Sequence, residues 1–156
     1  SGQTAVPHLN LTTDVIAGYP GESEREWQQT LDLVQRVGFG AVHVFPFSPR
    51  PGTKAAGLPD PIPPEIRQRR AGQLRGLAGG LRSAALARMV GQRVEVLAEG
   101  SDGPVESVEP RLGYTPNYLP VRIARLSSPI GPGARTRLLR LTAITADGQA
   151  LQGIEE

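Results

Sequence analysis

The stretch Thr13-Asp14-Val15-Ile16-Ala17-Gly18-Tyr19-Pro20-Gly21-Glu22 decides the fold of this chain. Its first half is rich in β-branched residues and predicts a strand that begins near Leu9. Its second half is a glycine loop. Ser23 and Glu26 follow at the spacing of a capping box, in which each side chain satisfies an orphan amide of a helix's first turn. Trp27, Leu31, Val34 and Val37 then recur at i, i+4, i+7 and i+10, the apolar face of a helix. Gly38 stands where that helix would stop. Ala41–Phe47 reads as a second strand, apolar on both faces as in a buried parallel sheet. The whole predicts one βαβ unit, parallel and right-handed.

Two loops then fall at the carboxyl edge of the sheet, Gly18–Glu22 and Phe45–Thr53. That edge is where α/β proteins present backbone groups to ligands. A single βαβ unit cannot bury both faces of its sheet. The segment is therefore expected to belong to a larger α/β domain whose earlier strands lie upstream.

Downstream, Lys54–Pro64 is proline-rich and predicts neither helix nor strand. A helix is expected from Pro64 to Val90, since proline is tolerated in a first turn. Leu74, Leu77, Leu81 and Ala84/Ala85 make its apolar stripe. Arg67, Arg70, Arg75, Arg82 and Arg88 are placed mostly off that stripe. Gly72, Gly76, Gly79 and Gly80 weaken the helix, each by up to ~1 kcal/mol relative to Ala, with a break expected near Gly79-Gly80.

After Gly91 short apolar runs alternate with turns: Arg93–Ala98, Tyr118–Ile123, Arg135–Leu141 and Leu151–Ile154. Turn residues stand between them at Gly113, Pro116, Gly131-Pro132-Gly133 and Asp147-Gly148. This predicts a small antiparallel barrel. The fold class is α/β plus all-β, with an α/β piece over 1–63, a basic connecting helix over 64–90 and an OB-like barrel over 91–156.

The 156 residues suffice for one medium or two small domains. Ser1-Gly2 reads as the remnant of an affinity tag. There is no apolar run long enough to span a bilayer and no secretory signal, so a cytoplasmic location without membrane contact is expected. Cysteine is absent, which excludes disulfides and thiolate metal ligands within these residues. His8 and His43 are far apart, and His43, between Val42 and Val44, reads as structural. Charge is uneven. Residues 65–93 carry seven arginines against Glu65, while the segments on either side are each net −2. That block reads either as a polyanion contact or as a solvated helix face.

Four motifs in order carry a family resemblance: Asp14–Glu22, Ser48-Pro49-Arg50-Pro51-Gly52-Thr53, Gly91-Gln92-Arg93-Val94-Glu95-Val96-Leu97 and Gly113-Tyr114-Thr115-Pro116-Asn117-Tyr118. Together they resemble the radical S-adenosylmethionine methylthiotransferases, from about Val6 onward. The resemblance implies the final strands of a partial α/β barrel, a connecting helix and a TRAM domain, which is a small RNA-binding barrel. It also implies S-adenosylmethionine and two 4Fe-4S clusters in a full-length parent. With no cluster cysteine in these residues, the piece is expected to hold neither and to catalyse nothing alone. Arg50-Pro51 is similar to the tRNA-modifying branches, not to the branch that modifies a ribosomal protein. The run His43-Val44-Phe45-Pro46-Phe47 and the stretch Gly113–Tyr118 resemble the branch acting on threonylcarbamoyl-adenosine, with the isopentenyl-adenosine branch as the alternative.

On that reading Ile16, Gly18, Tyr19, Glu22, Phe45 and Phe47 are the cofactor-side residues. Gly18 and Gly21 would permit close backbone approach. Glu22 reads as a ligand to a ribose or amino group or as an acid complementing a helix N-terminus. Phe45 and Phe47 would flank the adenine or fill the core. Arg50, held between prolines, suits a planar anion, either a phosphate or the threonylcarbamoyl carboxylate. Thr53 reads as a turn cap. Tyr114, Asn117, Tyr118, Arg122 and Arg125 form an aromatic, amide and basic cluster of the kind that contacts single-stranded RNA, here the tRNA anticodon loop. Tyr118 reads equally as a strand core residue. Arg135, Arg137 and Arg140 extend the patch, unless Arg137 faces solvent without a partner. A free-standing, non-catalytic RNA-binding protein is the competing class. An exposed sheet edge leaves room for an edge-mediated dimer.

Overall fold

The computed structural model describes residues 9–98, 111–125 and 135–155. The chain divides into two compact units, Leu11–Arg82 and the remainder. In the first, β1 (Thr12–Ala17), α1 (Glu24–Val37) and β2 (Ala41–Pro46) form the expected βαβ unit. The strands pair in parallel, with Asp14 opposite His43 and Ile16 opposite Phe45. The capping box is present in full, and the Gly38 amide closes α1 on the Val34 carbonyl.

A 3-10 turn at Lys54–Gly57 interrupts the proline-rich stretch where no element was expected. Thr53 explains it: its hydroxyl accepts from the Ala56 amide and donates to the Arg50 carbonyl at 2.8 Å. The helix α2 (Pro64–Ala87) runs without a break through Gly79-Gly80. Its N-terminal part packs on the βαβ unit. Val15, Ala17, Val42 and Val44 on one sheet face meet Trp27, Leu31 and Val34 of α1 and Ala71, Leu74, Leu77 and Leu81 of α2.

Among the described residues, only that face is covered. Asp14, Ile16, His43 and Phe45 point the other way and are exposed, Ile16 by 52% and Phe45 by 53%. The expectation of strands buried on both faces fails for β2, because all the covering helices of this unit lie on one side.

The second unit is a closed five-stranded barrel of β3 (Arg93–Ala98), β4 (Arg111–Tyr114), β5 (Pro120–Arg125), β6 (Arg135–Ile144) and β7 (Leu151–Glu155), in the order β3-β4-β5-β7-β6. It is not wholly antiparallel, since β5 and β7 run parallel. Five strands in a small closed barrel are the dimensions of an OB-like fold. Val96, Val121, Ile123, Leu139, Leu141 and Leu151 fill the interior, and Leu86 and Met89 pack into the same core. β4 lies where turn residues were read. Gly113 belongs to this strand for a packing reason: a Cβ there would lie 2.7 Å from a Val96 methyl and 2.9 Å from the Leu97 carbonyl oxygen. No described helix is long and apolar enough to cross a membrane.

Candidate functional site

The two strand-end loops of the α/β unit are fastened by arginines of α2. The Phe47 amide donates to the Ala17 carbonyl at 2.8 Å, so the loops begin side by side. Arg67 donates from Nη1 to the Phe47 carbonyl. Its stem lies over Gly18, with Cγ 2.4 Å from where a Cβ on that residue would sit. Gly18 also has φ +76°, a conformation that L side chains rarely adopt. The close approach that Gly18 permits is therefore to Arg67 of the same chain. Gly21 donates its amide to the Asp60 carbonyl at 2.9 Å.

Glu22 is likewise engaged within the fold. Its Oε2 accepts from the Gly18 amide at 2.9 Å and from Arg70 Nη1 at 2.7 Å. The same Nη1 reaches the Glu22 carbonyl at 3.0 Å, and Nη2 reaches Glu24 Oε2 at 3.0 Å. The guanidinium lies 5.7 Å from the centroid of the Trp27 ring, within cation–π range. Trp27 Nε1 in turn donates to Gln73 Oε1. The hydrogen bond from Arg70 is the main cause that holds the Glu24 carboxyl below its ordinary range.

Four cofactor-side candidates present apolar surface at this edge. Ile16, Tyr19 and Phe45 are exposed, and Phe47 is half-buried. The Tyr19 and Phe47 rings meet edge to face at 5.3 Å. Arg50 lies on the exposed second loop.

The RNA-side candidates other than Arg50 sit on the barrel unit. Tyr114, on β4, is 38% exposed and opposite Leu97 and Pro120. Tyr118 is no strand core residue: it stands in the β4–β5 turn, 82% exposed, because β5 begins two residues later than the sequence suggested. Asn117 serves that turn, its Oδ1 accepting from the Thr115 hydroxyl and its carbonyl accepting from Asn10 Nδ2. Arg122 pairs with Asp147 at 2.7 Å. Arg125 ends β5, and its side chain lies outside the described residues. Arg137 pairs with Glu155 at 3.5 Å, so it does not face solvent alone.

Arg67 and Arg70 are the residues that the sequence reading set aside. A signal for them existed. Arg67, Arg70, Leu74, Leu77 and Leu81 are spaced by three or four, so the apolar stripe of α2 continues N-terminally into arginines. Arg70 is buried and Arg67 half-buried, so these two fit neither a polyanion contact nor a solvated face, whereas Arg69 and Arg75 are exposed. Arg67, Arg69, Arg70 and Arg75 bond to the α/β unit itself, Arg75 reaching the Val44 carbonyl at 3.3 Å.

No family model matches the chain. Among curated proteins, the tRNA-2-methylthio-N(6)-dimethylallyladenosine synthase of Chloroflexus aurantiacus is 37% identical over 158 aligned positions, 99% of this chain and 32% of that protein. The protein of the same name from Moorella thermoacetica is 45% identical over 95 positions, 61% of this chain and 21% of that protein. A third, from Mycobacterium marinum, is 39% identical over 110 positions, 70% of this chain and 21% of that protein. The similarity is to dimethylallyladenosine synthases. The chain spans about a third or less of the length of these synthases.

These names overturn the threonylcarbamoyl-adenosine reading, because the similar synthases act, by name, on the dimethylallyl nucleoside. Several of the residues that carried that reading serve the framework. Val44 lies on the covered face of β2, Gly113 is demanded by strand packing, and Thr115 and Asn117 hold a turn together. The threonylcarbamoyl carboxylate drops out as a target for Arg50.

Proposed function

We propose that this chain is a segment of a tRNA-2-methylthio-N(6)-dimethylallyladenosine synthase, an enzyme that places a methylthio group on a dimethylallyl-modified adenosine of tRNA. The observation that carries the reading is the 37% identity to one such synthase across 99% of the chain. The α/β unit is read as part of a radical S-adenosylmethionine barrel, and the small barrel as a TRAM-type RNA-binding domain.

The residues suit those parts. Ile16 and Phe45 form an apolar pair on the uncovered sheet face, and Tyr19 and Phe47 stand at its carboxyl edge. Such a surface would seat the adenine of S-adenosylmethionine, and burying it there would stabilise the complex by roughly 25 cal/mol per Å² of apolar area. The bound cofactor supplies the radical chemistry. The chain contains no cysteine, so thiolates for the two 4Fe-4S clusters would come from residues outside these 156. Glu22 and Gly18 act here as loop framework for the ligand-facing aromatics. Arg50, on its exposed loop, is assigned to a tRNA phosphate. Tyr114, Arg122 and Arg125 are assigned, with the β4–β5 turn, to the anticodon loop.

The test is nucleoside mass spectrometry on tRNA from cells in which the gene encoding this chain is deleted. The methylthio form of dimethylallyladenosine should vanish and the unmethylthiolated nucleoside accumulate. An unchanged nucleoside profile overturns the reading.

A further inference from the structure

Two turns of the small barrel are built on one plan. In the β4–β5 turn, the buried Thr115 receives the Leu119 amide on its hydroxyl at 2.9 Å, and that hydroxyl donates to Asn117 Oδ1. In the β6–β7 turn, the buried Thr145 receives the Ala150 amide at 3.0 Å, and its hydroxyl donates to Asp147 Oδ1 at 2.6 Å. Each turn closes by a backbone bond to its threonine carbonyl, from Tyr118 at 2.9 Å and from Gly148 at 2.8 Å. The residue that donates it is left-handed in both, φ +61° at Tyr118 and φ +68° at Gly148.

One turn thus fills the left-handed position with glycine and the other with tyrosine. Only Asp60 and Tyr118 among the described non-glycine residues have positive φ. Aspartate tolerates that region, whereas a bulky residue there is an outlier. Tyr118 buries little surface in exchange, since the residue is 82% exposed. Strain of this kind, held by a surrounding turn, is a mark of function.

We propose that Tyr118 is a preorganised stacking platform for one unpaired RNA base. This rests on the RNA-binding reading above and names the residue and the unit it recognises. The turn fixes the backbone that carries the ring through Thr115 and Asn117, with Pro116 and Pro120 on either side, so no backbone ordering is needed on binding. An exposed aromatic ring on a fixed turn is what a splayed base stacks upon. Residues 91–156 carry seven arginines against eight acids, so the region is near neutral and net charge does not draw the RNA. An RNA with unpaired bases fits the exposed ring.

The experiment measures binding of the full 156-residue chain to an RNA hairpin with an unpaired adenosine-rich loop and to the same hairpin with an abasic loop, alongside thermal unfolding. The parent chain should prefer the base-bearing loop. Tyr118→Gly should weaken binding to that loop on the order of 10-fold and leave abasic binding unchanged. The same variant should raise the unfolding midpoint by a few degrees, because the strain is relieved. Tyr118→Ala should lose the affinity without that gain, and Tyr118→Trp should keep the affinity. If the parent prefers the base-bearing loop and Tyr118→Gly binds it equally well, the platform is refuted while RNA binding stands. Equal parent binding to the two hairpins refutes stacking. Absence of parent binding to either RNA overturns the RNA reading and the platform with it.

Discussion

Arg70 and Glu22 form an ion pair at 2.7 Å in which the side chains are only 4% and 15% exposed. It joins the second turn of α2 to the loop that precedes α1. Losing one partner from a buried pair costs far more than the pair's net worth, because a charge is stranded. Arg70→Met should therefore destabilise the α/β unit by about 3–5 kcal/mol in urea denaturation. Arg70→Met combined with Glu22→Gln should recover part of that loss. Strict additivity of the two substitutions would show that they do not act through each other.

Gly18 and Arg67 form a second coupled pair, steric in nature. Gly18→Ala meets both an unfavourable φ and the Arg67 stem at 2.4 Å. The left-handed backbone costs about 1–2 kcal/mol and overpacking a further ~1–3 kcal/mol. Arg67→Ala removes the 2.4 Å contact while keeping those of Cβ and Cα at 3.1 and 3.2 Å, so it should relieve part of the second cost and the double variant should be more stable than the sum of the single effects. A double variant as unstable as that sum would place the clash elsewhere.

Acid should loosen both units. Glu24 is held below its ordinary pKa chiefly by hydrogen bonding from Arg70, Glu26 by Ser23, and Asp147 by the Thr145 hydroxyl. A carboxyl whose folded pKa is depressed contributes stability that is present above its unfolded pKa and is lost as pH falls through the folded one. Unfolding midpoints should thus hold from neutrality down to the ordinary carboxylate range near about 4 and then decline. Glu24→Gln with Glu26→Gln should flatten that decline. An unaltered slope would put the acid sensitivity in other carboxyls.

Phe45 separates fold from ligand. It is 53% exposed on the uncovered sheet face, so Phe45→Ser should change the stability of the chain by no more than about 0.5 kcal/mol. In a full-length synthase of the kind proposed above, the same change should weaken S-adenosylmethionine binding, measured by calorimetry. Unimpaired binding would remove Phe45 from the cofactor surface.

The βαβ unit was legible because its signals are local. A capping box, a 3.6-residue stripe and β-branched strands each sit within a dozen residues. The roles of Gly18 and Glu22 were not, since both depend on Arg67 and Arg70, more than forty residues away. Glycine spacing shows that close approach is possible but not which group approaches. Strand β4 was hidden for a similar reason: Gly113 looks like a turn residue until Val96 is seen across from it. Tyr118 was ambiguous because a strand start and a turn residue share one sequence pattern. Only the register of β5 resolved it.

Among the described residues the sheet of β1 and β2 has two strands, so each is paired there along one edge alone. Alternate residues of a strand direct both amide and carbonyl to the same side. Hydrogen–deuterium exchange should accordingly show protection at every second amide of Thr12–Ala17 and Ala41–Pro46, while β5, paired with β4 on one side and β7 on the other, should protect nearly continuously. A change of the βαβ strands from the alternating to the continuous pattern would report the arrival of a further strand, from the proposed longer protein or from a second copy of this chain, without any need to see that strand directly.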